Sequence, residues 1–196
     1  MARERKFTDE HLFKETKELI IHDGYEAFTF SKLASRLGVS RGSLYKYYDN
    51  KDELISEFLM YEMARFLSDF DKLNKSADFQ TQFNELIDFI FAHNNIYEIL
   101  DIIGQIPAPT TKRALNNKSR ISEYYISMYQ QFEGFIELGR KEGLIKEHLP
   151  TAVLLGMIFQ IIAIPNHFNI PEGEWVASIK EILSSGMFKV DSLTGK

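Results

Sequence analysis

Apolar positions recur three and four residues apart through most of the chain, and the breaks in that rhythm divide it into helices. Thr8 opens the first predicted helix, which turns Leu12, Phe13, Leu19 and Ile20 inward and ends near Gly24. Thr29 caps a short second helix with Leu33, Ala34 and Leu37 on one face, and Gly38, which tolerates left-handed backbone, stops it. Ser40 is placed to accept hydrogen bonds from the first N–H groups of a third helix, about Arg41 to Tyr48. Leu44 and Tyr48 lie four apart and face inward with Val39, leaving Arg41, Gly42, Ser43, Lys46 and Tyr47 outside. Two helices meeting across so short a turn have the spacing of a helix-turn-helix.

Further on, Asn50-Lys51-Asp52-Glu53 has capping-box spacing and opens a long helix through Leu54, Ile55, Phe58, Leu59, Met63 and Leu67 toward Phe70. The charged stretch Asp71 to Ser76 reads as a loop. Phe79, Phe83, Leu86, Ile87 and Ile90 form the next stripe; Ile96 to Ile103 is a short apolar helix closed by Gly104 and a kink at Pro107-Ala108-Pro109. A long helix is expected from Ser119 to about Gly143. Pro150 starts a helix that is apolar on nearly every side from Val153 to Ile164, and a last one runs from Pro171 to about Phe188. The chain therefore reads as all-α, with a helix-turn-helix at residues 1–50, a connecting helix and boundary loop at 51–75, and a further helical domain at 76–196.

Charge sharpens that picture. Residues 29–51 carry five basic side chains (Lys32, Arg36, Arg41, Lys46, Lys51) and one acid, Asp49, on a chain whose net charge is −5. A basic island of this kind is the electrostatic footprint of a phosphate backbone, because each cation that meets a phosphate releases a counterion. Gly42 sits in a helix at a cost of roughly 1 kcal/mol against Ala, which a close approach to DNA explains. Cysteine is absent, so neither disulfides nor thiolate metal sites are available. The N-terminus lacks a signal-peptide core, and the longest apolar run, Ala152 to Pro165, is shorter than the roughly 20 residues of a membrane span, so a cytoplasmic protein with no membrane partner is expected. The five histidines show no ligand spacing, and no metal, cofactor or catalytic constellation is expected. Gly38-Val39-Ser40-Arg41-Gly42 satisfies the G-x-S-x-G elbow of serine hydrolases, but that motif needs a strand before it, and the residues ahead have helical spacing.

Gly24, Thr29, Leu33-Ala34, Gly38-Val39-Ser40, Gly42, Leu44-Tyr45, Tyr48 and Lys51 with Glu53-Leu54 together resemble the tetracycline-repressor (TetR) family of bacterial transcriptional regulators, over roughly the first third of the chain. The resemblance implies that Thr29, Tyr45 and Lys51 contact phosphates and that Arg41, Ser43, Lys46 and Tyr47 face the major groove, with Ser40 and Gly42 on the same DNA-facing surface. The family often has His or Phe at the positions of Tyr47 and Tyr48, which leaves Tyr47 open between base and phosphate. It also implies a ligand cavity among the later helices, with Tyr97, Tyr124, Tyr125, Met128 and Phe132 as wall candidates.

The all-round apolar helix after Pro150 needs cover. Pairing it and the last helix with their symmetry mates would give a four-helix homodimer interface through Leu154, Met157, Ile158, Ile161, Trp175, Ile179 and Ile182; burial in the monomer core is the rival. The expected function is a dimeric repressor of an inverted-repeat operator in double-stranded DNA, released by a small-molecule effector, with an activator or an architectural DNA-binding protein of the same fold as the alternative. A serine hydrolase using Ser40 is the remote rival.

Overall fold

The computed structural model describes residues 6–73, 75–93 and 111–189. In chain order these hold α1 (Asp9–Ala27), α2 (Phe30–Arg36), α3 (Arg41–Leu44), α4 (Lys51–Phe70), α5 (Phe79–Ala92), α6 (Lys112–Lys141), α7 (Thr151–Gln160), a 3-10 turn (Ile161–Ala163) and α8 (Glu172–Met187). Among the described residues there is no strand beyond one isolated bridge, Ile145 to Phe188, and the protein is all-α. The short helix expected at Ile96 to Ile103 and the kink after it lie outside the described residues.

Two compact units divide the chain. The first takes residues up to Arg65 and, from much later, the stretch ending at Tyr124; the second starts at Phe66 and again at Tyr125. This division differs from a cut between residues 50 and 76, because α4 and α6 each belong to both units.

In the first unit, local chemistry sets the helix ends. Thr8 accepts from His11 N–H at 3.1 Å, and Thr29 accepts from Lys32 N–H at 3.3 Å. α1 continues past Gly24 to Ala27 across a kink at that glycine, whose φ is +80°. The end of α2 is a Schellman closure: Gly38 at φ +63° donates to Ser35 C=O and Val39 donates to Ala34 C=O. Asn50 caps α4 by accepting from Glu53 N–H at 3.0 Å, while the Glu53 carboxylate reaches back to Asp49 N–H. Leu12, Phe28, Leu33, Leu44, Tyr48, Leu54, Ile55 and Phe58 bury together, joined by Ile121 of α6. Lys17 pairs with Glu62 at 2.9 Å and Tyr25 donates to Asp52 at 2.6 Å, fastening the middle and the C-terminal end of α1 to α4.

The second unit is packed on aromatic rings. Phe132 sits between Phe70 and Phe159 with centroids 4.6 and 4.7 Å away, and Phe79 stacks on Phe135 at 4.7 Å. Gly139 makes that fit possible, since a Cβ there would lie 2.6 Å from the Phe79 ring. Only part of α7 is core. Leu154 and Ile158 with Ile161 after it, and Ile179 on α8, are buried inside the subunit, so these four residues of the expected interface have no exposed apolar face to offer. The helix reads as apolar on all sides because one stripe covers the subunit core and the opposite stripe, Val153, Met157 and then Ile164, stays about half exposed.

Candidate nucleic-acid interface

The surface around α3 is built by its neighbours. Leu44, fully buried, and Tyr48, 2% exposed, anchor the segment, which leaves Arg41, Gly42, Tyr45, Lys46 and Tyr47 exposed. The regular helix is shorter than its sequence predicts: it spans Arg41–Leu44 and continues to Tyr47 as turns. Ser40 occupies the cap position but makes no side-chain cap; its hydroxyl lies 2.9 Å from the Ser43 hydroxyl, and its carbonyl accepts from Ser43 N–H. Both hydroxyls remain on the exposed side of the turn.

Thr29, Arg41, Tyr45 and Lys51 line one open depression together with Ser31, Asn50, the Phe28 and Phe30 positions and two acids, Glu26 and Asp49. Residues from the start of α2, from α3 and from the start of α4 thus converge where a phosphate group could be held by a hydroxyl, a phenol and two cations. Arg41 folds over Tyr45, donating to its hydroxyl at 2.9 Å, and Tyr45 in turn packs edge-on to Phe30 at 4.9 Å. That posture puts Arg41 beside the phosphate candidates rather than apart from them with Ser43 and Lys46. The Lys51 ammonium is steadied by the Tyr25 carbonyl at 3.2 Å and by the Tyr25 ring 4.1 Å beneath it. Burial and the bond to Asp52 push the Tyr25 phenol well above its ordinary range, so the ring under Lys51 stays neutral. Gly42 has no neighbour of its own that forbids a side chain, since the nearest atom to a Cβ placed there is Ser40 Oγ at 3.9 Å.

The basic island is smaller in space than in sequence. Lys32 pairs with Asp23 at 2.6 Å, and Arg36 pairs with Glu18 at 3.1 Å and Glu15 at 3.5 Å, all on α1. Lys32, helped by His22, holds the Asp23 carboxyl down at about 2. Arg41, Lys46 and Lys51 are left to face a polyanion; Lys46 has no ion-pair partner among the described residues. Of the N-terminal basic residues, Arg3 and Arg5 lie outside the described residues, while Phe7 is buried with its ring 5.9 Å from that of Tyr47. A long-range partner that spacing does not reveal, Arg113 on α6, also reaches this turn by donating to the Tyr47 carbonyl.

The expected ligand wall disperses. Tyr97 lies outside the described residues, Tyr124 is half-buried, and Tyr125 is exposed and hydrogen-bonded to Tyr129, which raises its phenol to about 12. Met128 is buried, and Phe132 is buried between the Phe70 and Phe159 rings. A cavity of about 270 Å³ in the second unit is lined instead by the next positions around α6, Gln131, Gly134, Phe135 and Leu138, with Phe70, Leu73, Leu86, Gln82, Glu85 and Lys75. Gln131 Oε1 is buried there without a hydrogen-bond partner among the described residues. In the expected dimer set, Met157 and Ile182 are 54% and 65% exposed and Trp175 is partly buried.

No group of three or more His, Asp or Glu side chains placed to hold a metal ion, and no helix long and apolar enough to cross a membrane, occurs among the described residues. Ser40 follows a helix and a turn, not the strand of a hydrolase elbow.

Two short helices locked at a left-handed glycine, with the second presenting cations outward, define a helix-turn-helix DNA-binding protein. Residues 12–58 match the family described as bacterial regulatory proteins, tetR family. Over that stretch the chain carries the DNA-binding region of that family of transcriptional regulators. It is 26% identical over 151 residues, 74% of each chain, to a fatty acid metabolism regulator protein of Bacillus subtilis. In fold it is similar to the ketosteroid transcriptional regulator KstR2 of Mycobacterium tuberculosis, at TM-score 0.70 and 17% identity, covering 96% of this chain and 97% of that one. It is likewise similar to the regulator FadR of Bacillus subtilis in complex with stearoyl-CoA, at TM-score 0.66 and 19% identity, covering 91% and 99%.

Proposed function

We propose that this regulator is a dimeric repressor that holds a palindromic operator and releases it when a small molecule enters the second unit. The observation that carries the reading is the convergence of Thr29, Arg41, Tyr45 and Lys51 on one exposed depression, next to Lys46. Two such surfaces related by a two-fold axis would enter successive major grooves about 34 Å apart. The exposed apolar side chains of Val153, Met157 and Ile164, of Phe168 at 88% exposure and of Ile182 on α8 support self-association, because exposed apolar surface is commonly covered by a partner. The proposed interface is formed by Val153, Met157, Trp175 and Ile182.

The cavity beside Phe70 is the proposed effector site. Its apolar walls favour an apolar body, and Gln131 Oε1 favours a ligand group that donates one hydrogen bond. Stearoyl-CoA, which is bound in the Bacillus subtilis neighbour, is a first probe for the apolar walls, its acyl chain supplying the apolar body. α4 is the proposed lever, as it starts at Lys51 in the DNA-facing depression and ends at Phe70 on the cavity wall. The site of action is the cytoplasm, where the DNA is.

The deciding experiment is selection of binding sites from random duplex DNA by the purified protein. One enriched inverted repeat supports the repressor; salt-sensitive retention with no enriched sequence replaces it with an architectural role.

A further inference from the structure

The Arg113 guanidinium stands in the first turn of α6, far along the chain from the recognition segment, yet it grips that segment three ways. One nitrogen donates to the Tyr47 carbonyl at 2.7 Å, another pairs with Glu57 of α4, and the guanidinium carbon lies 4.9 Å over the Tyr48 ring. Glu57 is itself 3.5 Å from the Tyr48 hydroxyl. One helical turn on, buried Asn117 donates to Ser56 Oγ at 3.0 Å, and Ser56 donates to the Glu53 carbonyl at 2.9 Å. Ala114 and Ile121 are buried on the same side. The first turns of α6 are thereby set against α4 by packing and by polar bonds, and Arg113 is held in place from behind.

Its target is the point where α3 has run out. α3 stops at Leu44, and the N–H groups of the turn are tied back to it, Tyr45 to the Arg41 carbonyl and Tyr47 and Tyr48 to the Leu44 carbonyl, whereas the carbonyls at such a helix end need donors from elsewhere, and a cation there is a favourable one. We infer that Arg113 is a positioning residue for sequence readout: without touching DNA, it clamps the Tyr47 carbonyl and so holds Lys46 and Tyr47 at the angle at which they meet the groove. Phosphate contacts made by Lys51 at the start of α4 do not depend on that clamp, because Lys51 is steadied by Tyr25. Loss of Arg113 therefore separates specificity from general affinity.

The inference rests on the operator reading, and the experiment keeps the two apart. Parent, Arg113→Ala and Arg113→Lys proteins are each run through selection from the same random duplex pool, then titrated against the parent's enriched duplex and against unselected DNA over a range of salt, with melting followed by circular dichroism. The expected result for Arg113→Ala is a blurred motif and about a tenfold loss on the enriched duplex, the size of one charge-assisted hydrogen bond. Affinity for unselected DNA and the salt slope stay as in the parent. Arg113→Lys, which keeps the charge but cannot span Glu57 and the carbonyl together, falls between, and it carries the test alone if the Arg113→Ala protein does not fold. Equal losses on both duplexes, a salt slope shallower by about one, or an unchanged motif each overturn the inference; the second would make Arg113 a phosphate contact. A parent that enriches no sequence sinks the operator reading first, and this one with it.

Discussion

Two glycines four residues apart have opposite reasons to be glycine. Gly38 sits at φ +63°, where an alanine costs about 1–2 kcal/mol, so Gly38→Ala should lower the stability measured in urea by about that amount. Gly42 has room for a methyl group, so Gly42→Ala should leave stability unchanged or raised by up to roughly 1 kcal/mol while weakening DNA binding in a fluorescence-anisotropy titration. A Gly42→Ala protein that binds DNA as the parent does would remove the close approach from the reading of this helix. Among the cations, Lys51→Ala should weaken binding to every duplex and shallow the salt dependence by about one unit, whereas Lys46→Ala should shift base preference in a repeat of the DNA selection. Asp23 offers a pH handle. Its carboxyl is held at about 2 in the folded protein by Lys32 and His22, below the ordinary 3.8, so its stabilising effect is present above pH about 4 and is lost as pH falls through about 2. Asp23→Asn should accordingly be less stable than the parent near neutral pH, with the difference closing over that acid range in denaturation curves.

Helix ends that depend on nearby residues were readable in advance; the faces that helices present were not. Thr8, Thr29, Asn50 and Gly38 act where their residue types say they should, because a cap is a contact across three or four positions. α6 begins at Lys112 rather than Ser119, since its opening turns bury Ala114 and Asn117 and carry Arg113 and so show no apolar stripe; what fills that face is a hydrogen bond to Ser56 and an ion pair with Glu57. α7 and α8 have the converse problem, too many apolar positions for periodicity to choose the exposed ones. Ile182→Asp or Met157→Asp should yield monomers in analytical ultracentrifugation with little change in melting, because both side chains are exposed in the subunit. Ile158→Asp, by contrast, should unfold it, its side chain being wholly buried.

For the protein as a whole, the proposed link between effector and operator has a thermodynamic signature. Whatever factor the ligand takes from operator affinity, the operator must take from ligand affinity. Titrating stearoyl-CoA, or another apolar probe that raises the melting temperature, with and without the enriched duplex should give affinities differing by that same factor; equal affinities would end the effector reading. Gln131→Leu should weaken the probe without disturbing DNA binding in its absence. The all-α class, the helix-turn-helix and the residues that surround it were legible in the order of amino acids, because capping, left-handed glycine and a face of helical period are relations among neighbours. Which of five cations remain for DNA, which residues wall a cavity and which side of an apolar helix stays outside are relations among residues far apart in the chain. Lys32 and Arg36 look like Lys46 until α1 brings Asp23, Glu15 and Glu18 to them. Arg113 looks like a surface arginine until packing of α6 on α4 delivers it to Tyr47, for long-range contacts form only when burial brings distant segments together.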